Sequence, residues 1–257
     1  MTLTPDQIQD AARRLHDAER SRSEIDPLIA EWPALGTADA YRIQRALVAL
    51  YDQPLVGLKA ALTSAAKQKA MGVDQPGFGT LLPFMRCEDS IVCGELIHPR
   101  VEPEIALFFH NFDYSPGMTA VDVAFAASAF APALEVIDSR YRKFKFSAAD
   151  VFADNCSSSR YIVSPDLQPL PFDELNLAGV VLRKNGDIVH TGTPAAVLGS
   201  PFASAAFVLN LAAEHGVELP PSFVLLTGGI TEAVPVAPGD VVSATFGGIG
   251  HIALAAR

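Results

Sequence analysis

The apolar positions change period near residue 54. Before it, Ile8, Ala11, Ala12 and Leu15 recur at the spacing of one helix face. Ahead of them, Thr4-Pro5-Asp6-Gln7 supplies an N-cap threonine, a proline at the first helical position, an acid in the first turn and a capping-box glutamine. The first twenty residues are therefore expected to be helical. Ala38, Tyr41, Leu47 and Leu50 fall near one face of a second helix, expected to be capped by Thr37 and to run to about Asp52. Residues 1–53 read as an N-terminal helical segment.

From residue 54 onward, short apolar runs at 101–109, 178–182, 223–226 and 241–246 alternate with glycine and proline turns, the pattern of strands. Asn185-Gly186 between two such runs predicts a two-residue hairpin, because both residues tolerate the positive φ of a type I′ turn. Residues 201–215, stopped by Gly216, predict a largely buried helix, and 120–130 a further one. Few regular strand–helix alternations occur, which favours a mixed α+β architecture over a doubly wound parallel sheet. The expected division is a helical segment at 1–53 and a β-rich domain at 54–257, forming one structural unit.

With 49% hydrophobic and 19% charged side chains in 257 residues, the chain can bury a large core. A formal net charge of −10, with no run of Lys or Arg, disfavours nucleic acid and anionic membranes as partners. The most apolar stretch noted, 121–134, carries Asp122 and Pro132 and is too short to span a bilayer, so no transmembrane segment is expected. The N-terminus shows no basic-then-apolar leader, and a cytoplasmic location is the expectation. Three cysteines without CxxC spacing, Cys87, Cys93 and Cys156, suit reduced thiols, and six scattered histidines show no paired-ligand spacing.

Two acidic clusters interrupt apolar runs: Glu102-Pro103-Glu104 and Glu135-Val136-Ile137-Asp138. Ionised carboxylates are rarely placed in such surroundings unless a positive charge meets them. Glu102 and Glu104, two residues apart on a strand, leave the same face and can converge on one ion, with Glu135 as a third oxygen donor. Pro103 between them suggests an edge or a bulge. An isolated strand glutamate is ordinarily a solvated face, but the paired arrangement favours an oxygen-held Mg2+ or Mn2+.

Lys59 is a lone cation in an apolar run, either a snorkelling surface lysine or a residue facing an anion. Arg140 either pairs with Asp138 or clamps a carboxylate. The polar block 154–160 reads as a loop or cap, since no G-x-S-x-G elbow accompanies its serines. Gly247-Gly248-Ile249-Gly250 reads as a close-approach turn, and Thr227-Gly228-Gly229 as a place where backbone can approach a ligand.

Six ordered blocks, VGLKAALTSAAKQKAMGVDQPGFG (56–79), HPRVEPEIA (98–106), LEVIDSRYRKFKF (134–146), ADNCSSSRYI (153–162), GTPAAVLGSP (192–201) and LTGGITEAVPVAPGD (226–240), together resemble the fumarylacetoacetate-hydrolase superfamily. Within it the chain is similar to the branch of 2-hydroxypentadienoate hydratases and 4-oxalocrotonate decarboxylases, with GLK, LTS, DSRYRKFKF and TGGIT closer to the decarboxylases. Cys156 and His251 depart from the branch's common residues. The resemblance implies a mixed β-roll with peripheral helices and puts Glu102, Glu104 and Glu135 at metal-ligand positions. It implies an active-site role for Lys59, and substrate handling near Asp74, Ser157 and Ser158. Arg140, Thr227 and Gly228 are the further candidates for contact with substrate.

The implied reaction is metal-dependent decarboxylation of 2-oxohex-3-enedioate to 2-hydroxypenta-2,4-dienoate in aromatic meta-cleavage catabolism. Hydration of 2-hydroxypenta-2,4-dienoate is the alternative, for which Asp74 would supply acid–base chemistry. A non-catalytic stabilising partner of such an enzyme is a third reading. Hydrolysis of a fumarylpyruvate-like bond would need a His/Glu pair that the N-terminal helices do not reveal. The resemblance also implies a homo-oligomer and association with a 2-hydroxypentadienoate hydratase.

Overall fold

The computed structural model describes residues 2–169 and 175–257. Helix α1 spans Pro5–Ser21. Its entry is the anticipated capping box: Gln7 N donates to Thr4 Oγ1 at 3.3 Å and Thr4 N donates to Gln7 Oε1 at 2.9 Å, an arrangement that stabilises a helix by about 1 kcal/mol. Ile8, Ala11, Ala12, Leu15 and Ala18 are buried, and Arg22 closes the helix in the left-handed region at φ 55°. Helix α2, Thr37–Ala49, is capped differently from the expectation: Gly36 is the N-cap, Thr37 is already the first helical residue, and no side chain caps the turn. Buried Asp39 on α2 instead accepts a hydrogen bond from Leu3 N at 2.8 Å, which ties the two helices' beginnings together.

Twelve strands among the described residues form two sheets. The larger contains β1 (Gly57–Ala61), β2 (Gly77–Leu81), β4 (Arg100–Phe109), β5 (Ala127–Ile137), β6 (Ser158–Val163), β9 (Phe223–Leu226) and β10 (Val234–Pro235), in the order β2-β1-β9-β4-β5-β6 with β10 also on β4. The smaller runs β3 (Ser90–Ile91), β12 (Gly250–Ala256), β11 (Val241–Phe246), β7 (Val180–Lys184), β8 (Asp187–Gly192). β1 pairs parallel with β9, and β12 with β3; the other pairings are antiparallel. The architecture is the α+β mixed β-roll.

The hairpin between β7 and β8 turns at Asn185 (φ 55°) and Gly186 (φ 92°), as its dipeptide predicts. α3 (Ala65–Met71), α5 (Ala148–Ala153) and α6 (Pro201–Glu214) complete the helices with α4 (Ala120–Ala126). α4 is shorter than the 120–130 helix anticipated: from Ala127 the chain becomes β5 and pairs with β4. Ala and Phe in that stretch fit either state locally, and the ladder with β4 decides it. The run 194–214, rather than 121–134, is the described stretch long and apolar enough to cross a bilayer, and half of it is buried in the fold. Residues of α1 and α2, such as Leu15 and Ile43, share one buried cluster with Phe78, Phe152 and Leu225 of the sheet region.

Candidate active site

β4 and β5 place the acids. Glu102 and Glu135 are direct register partners, and Glu104 follows two residues along on the Glu102 face. Pro103 is at neither an edge nor a bulge: β4 lies inside the sheet, and the ladder irregularity falls at Phe108/Phe109. Proline is tolerated there because β10 pairs with residues 100–101 and β9 with 106–109, which leaves a gap between them. In that gap the Pro103 carbonyl accepts from Ile230 N at 2.9 Å.

The carboxylate oxygens of Glu102, Glu104 and Glu135 lie within 4.8 Å of one another, and all three residues are buried. Glu102 Oε2 accepts from Lys67 Nζ at 2.6 Å. Glu104 Oε2 accepts from Gly228 N at 2.6 Å. Glu135 Oε1 faces Lys59 Nζ at 3.1 Å in an ion pair without hydrogen-bond alignment. Glu104 Oε1 and Glu135 Oε2 are buried with no hydrogen-bond donor among the described residues. Burial, reinforced by the neighbouring carboxylates, pushes the Glu104 carboxyl well above its ordinary range; burial also raises Glu135, against the pull of Lys59. Buried carboxylate oxygens without donors are costly unless a cation meets them, and an all-oxygen donor set suits Mg2+ or Mn2+. The residues present fit such an ion.

Lys59 is not at the surface; it is 2% exposed and also donates to the Cys156 carbonyl at 3.0 Å. Burial disfavours its ammonium, but the charges around it, Glu135 foremost, hold its pKa above the usual lysine value. A cavity of about 530 Å3 opens beside these groups, lined by Lys59, Lys67, Arg100, Glu102, Ser157 and Gly229 and, on its apolar side, by Ile137, Phe144, Phe146 and Val151. Gly229 allows the close approach: a β-carbon there would sit 1.9 Å from Glu102 Oε2.

The structure brings some sequence candidates together and leaves others apart. Ser157 lines the cavity, and its hydroxyl donates to Asp154 Oδ2 at 3.3 Å. Ser158 is buried with its hydroxyl 3.7 Å from Met85 Sδ, outside the lining. Asp74 is exposed in the bend after α3, also outside the lining. Arg140 pairs with neither Asp138's carboxylate nor the cavity: it bonds Glu19 Oε2 at 2.6 Å and faces Asp154 Oδ1 at 3.3 Å. Asp138 accepts instead from Ile97 N and His98 N at 2.8 and 2.7 Å, bracing the entry to β4. Thr227 donates to the Ile105 carbonyl at 2.9 Å, and the adjoining glycines approach Glu104 and Glu102. Gly247-Gly248 forms the β11–β12 turn, with Gly248 at φ 74°. Cys156 faces the cavity, its thiol donating to the Phe78 carbonyl at 3.1 Å, with burial pushing that thiol up to about 12. His251 is exposed beside Thr245 Oγ1. Lys67, Arg100 and Phe144 line the site without having been singled out from the sequence; Arg100, two residues before Glu102, was the one of them with a local signal, a cation beside an acidic pair.

No protein-family profile matches the chain. A 4-oxalocrotonate decarboxylase of Pseudomonas putida is 40% identical over 256 residues, which is 98% of this chain and 97% of that one. The chain belongs to the fumarylacetoacetate-hydrolase superfamily, in its 4-oxalocrotonate decarboxylase branch. The branch extends to hydratases: a 2-keto-4-pentenoate hydratase of Paraburkholderia xenovorans (strain LB400) is 33% identical over 97% of this chain and 95% of its own. The solved 4-oxalocrotonate decarboxylase of Pseudomonas putida G7, complexed with magnesium and adipate, matches this decarboxylase-branch fold with TM-score 0.95 and 39% identity, covering 100% of this chain and 99% of the other. A fumarylpyruvate hydrolase of Pseudomonas aeruginosa shares the superfamily fold more distantly, at TM-score 0.58 and 13% identity over 79% of this chain and 90% of that one.

Proposed function

We propose that this chain is a metal-dependent carboxy-lyase that converts 2-oxohex-3-enedioate to 2-hydroxypenta-2,4-dienoate and carbon dioxide. The observation carrying this is the buried Glu102–Glu104–Glu135 cluster, with two oxygens lacking donors, beside Lys59 in a cavity able to hold a six-carbon diacid. Held by these glutamates, Mg2+ or Mn2+ supplies Lewis acidity toward the substrate's 2-oxo acid end. The C5–C6 bond breaks, its electron pair forms C4=C5, the C3=C4 pair shifts to C2=C3, and the negative charge arrives on the 2-oxygen, which then takes up a proton.

The residues prepare a place for that charge. Lys59 is immobilised by Glu135 and the Cys156 carbonyl, so its ammonium needs no reorganisation as negative charge moves toward the chelated end. Gly228 N and Lys67 fix the directions of Glu104 and Glu102. Phe144, Phe146, Ile137 and Val151 keep one side of the cavity apolar, which limits water around the reacting chain. Decarboxylation asks for no positioned water, and Asp74, the group that hydration would enlist, is outside the cavity lining.

The family resemblance extends this reading to a cytoplasmic homo-oligomer that associates with a 2-hydroxypentadienoate hydratase. The deciding experiment feeds 2-oxohex-3-enedioate to the purified chain and follows carbon dioxide and products, with Mg2+ and after chelation. Magnesium-dependent release of carbon dioxide with accumulation of the dienoate is expected. Consumption of added dienoate to a hydroxy-oxo acid would make it a hydratase, and inactivity without a partner chain a scaffold.

A further inference from the structure

Three cations line the cavity, and two are engaged: Lys59 faces Glu135 and Lys67 faces Glu102. The third, Arg100, has no ion pair and no side-chain hydrogen bond among the described residues. Its guanidinium carbon lies 4.0 Å from the centroid of the Phe144 ring. Stacking occupies the flat face of a guanidinium and leaves its in-plane N–H donors free, the geometry a carboxylate takes up with two parallel hydrogen bonds.

Arg100 is also in the right place. It precedes Glu102 by two residues on β4 and pairs with Ile137 just as Glu102 pairs with Glu135, so it stands one strand repeat out from the carboxylate cluster on the same face. That repeat is about 6.6 Å. From the oxo carbon to the distal carboxyl carbon of an extended 2-oxohexenedioate is roughly 5 Å, by ordinary carbon–carbon bond lengths. The stacking ring is fixed in turn: Phe144 packs on His98 at 5.2 Å and on Phe146 at 5.3 Å, and Lys143 N beside it donates to Glu24 Oε1 at 2.8 Å.

We propose that Arg100 is the specificity-determining residue that receives the distal carboxylate of a dianionic substrate whose 2-oxo acid end is held at the three glutamates. The proposal rests on the function given above and adds how the substrate's two ends are told apart. Arg100 makes the site prefer a diacid over a monoacid of equal length. It also predicts where the benefit falls. In the reaction the distal carboxylate surrenders its charge to the 2-oxygen and departs as neutral carbon dioxide, so attraction to Arg100 is strongest in the bound substrate and fades toward the transition state. Losing it therefore raises KM and, because the bound substrate loses more stabilisation than the transition state, raises kcat as well, so that kcat/KM changes less than KM.

The test compares equilibrium binding, in Mg2+, of 2-oxohexanedioate and 2-oxohexanoate, which share the chelating end and differ in the distal carboxylate. Neither has the conjugated double bond that decarboxylation needs. Wild-type protein is expected to bind the diacid at least tenfold more tightly; in Arg100→Met that preference disappears while 2-oxohexanoate binding holds, and Arg100→Lys keeps part of it. KM for 2-oxohex-3-enedioate should rise at least tenfold in Arg100→Met. No preference in wild type, a preference surviving in Arg100→Met, or an equal loss for both acids would overturn the assignment. A wild-type preference without carbon dioxide release would instead overturn the reaction and leave Arg100 as a diacid receptor.

Discussion

Glu102 stands directly opposite Glu135 in the β4–β5 ladder, two buried carboxylates at one cross-strand position. Like charges so placed repel, and Glu104 adds a third. The site therefore sets metal affinity against the stability of the ion-free fold. Glu104→Gln should end Mg2+-dependent turnover and cancel the rise in Tm that Mg2+ gives wild type, while the ion-free variant melts about 2–4 °C higher, the effect of relieving about 1 kcal/mol in a chain of this size. Thermal melts with and without chelator check both halves.

Lys59→Met should separate rate from binding. The variant is expected to keep Mg2+ but to lose at least about a hundredfold in kcat, as when a preorganised electrostatic partner is removed. Without metal it leaves Glu135 buried beside no cation, costing about 3–5 kcal/mol, and saturating Mg2+ should recover much of that stability. Wild-type kinetics in this variant would return Lys59 to a packing role.

Gly229→Ala would drive a methyl group into Glu102. The backbone there needs no left-handed conformation, so the fold is expected to persist while Mg2+ affinity drops about 10–100-fold, the range typical of disturbed ligand orientation. Calorimetric titration of Mg2+ into the folded variant measures it.

Acid sensitivity has a source remote from the site. Hydrogen bonds from Lys184 and Asn185 side chains and from Ala237 N hold the Asp240 carboxyl down at about 2. A carboxyl lowered in the folded state stabilises it above the ordinary aspartate value of 3.8, and that contribution disappears as pH falls toward 2. Urea midpoints measured between pH 5 and pH 2 should drop less steeply for Asp240→Asn than for wild type.

Much of this was legible in the chain. Thr4 and Gln7 mark a helix start, Asn185-Gly186 a hairpin, and Glu102 and Glu104 a shared strand face, because each signal is local and obeys a backbone period. What depends on distant segments was not. Whether 127–130 is helix or strand is settled by β4, Pro103 is excused by a gap between two other strands, and Arg140 finds Glu19, 121 positions away. Lys67 reaches Glu102 across 35 positions, and no spacing rule connects them. Phe144 and Arg100 meet only because a turn carrying left-handed Lys143 and Phe144, at φ 56° and 57°, folds back over β4.

The wall behind Lys59 is made of three successive non-glycine residues in the left-handed region: Asn155, Cys156 and Ser157 have φ of 47°, 54° and 56°. Each such residue costs about 1–2 kcal/mol, and Asn155 holds the tract through paired bonds to Thr80, 2.7 Å from its N and 2.9 Å from its O. Folding absorbs that expense ahead of any encounter with ligand. The Cys156 carbonyl that anchors Lys59 is thereby placed by the folded backbone itself.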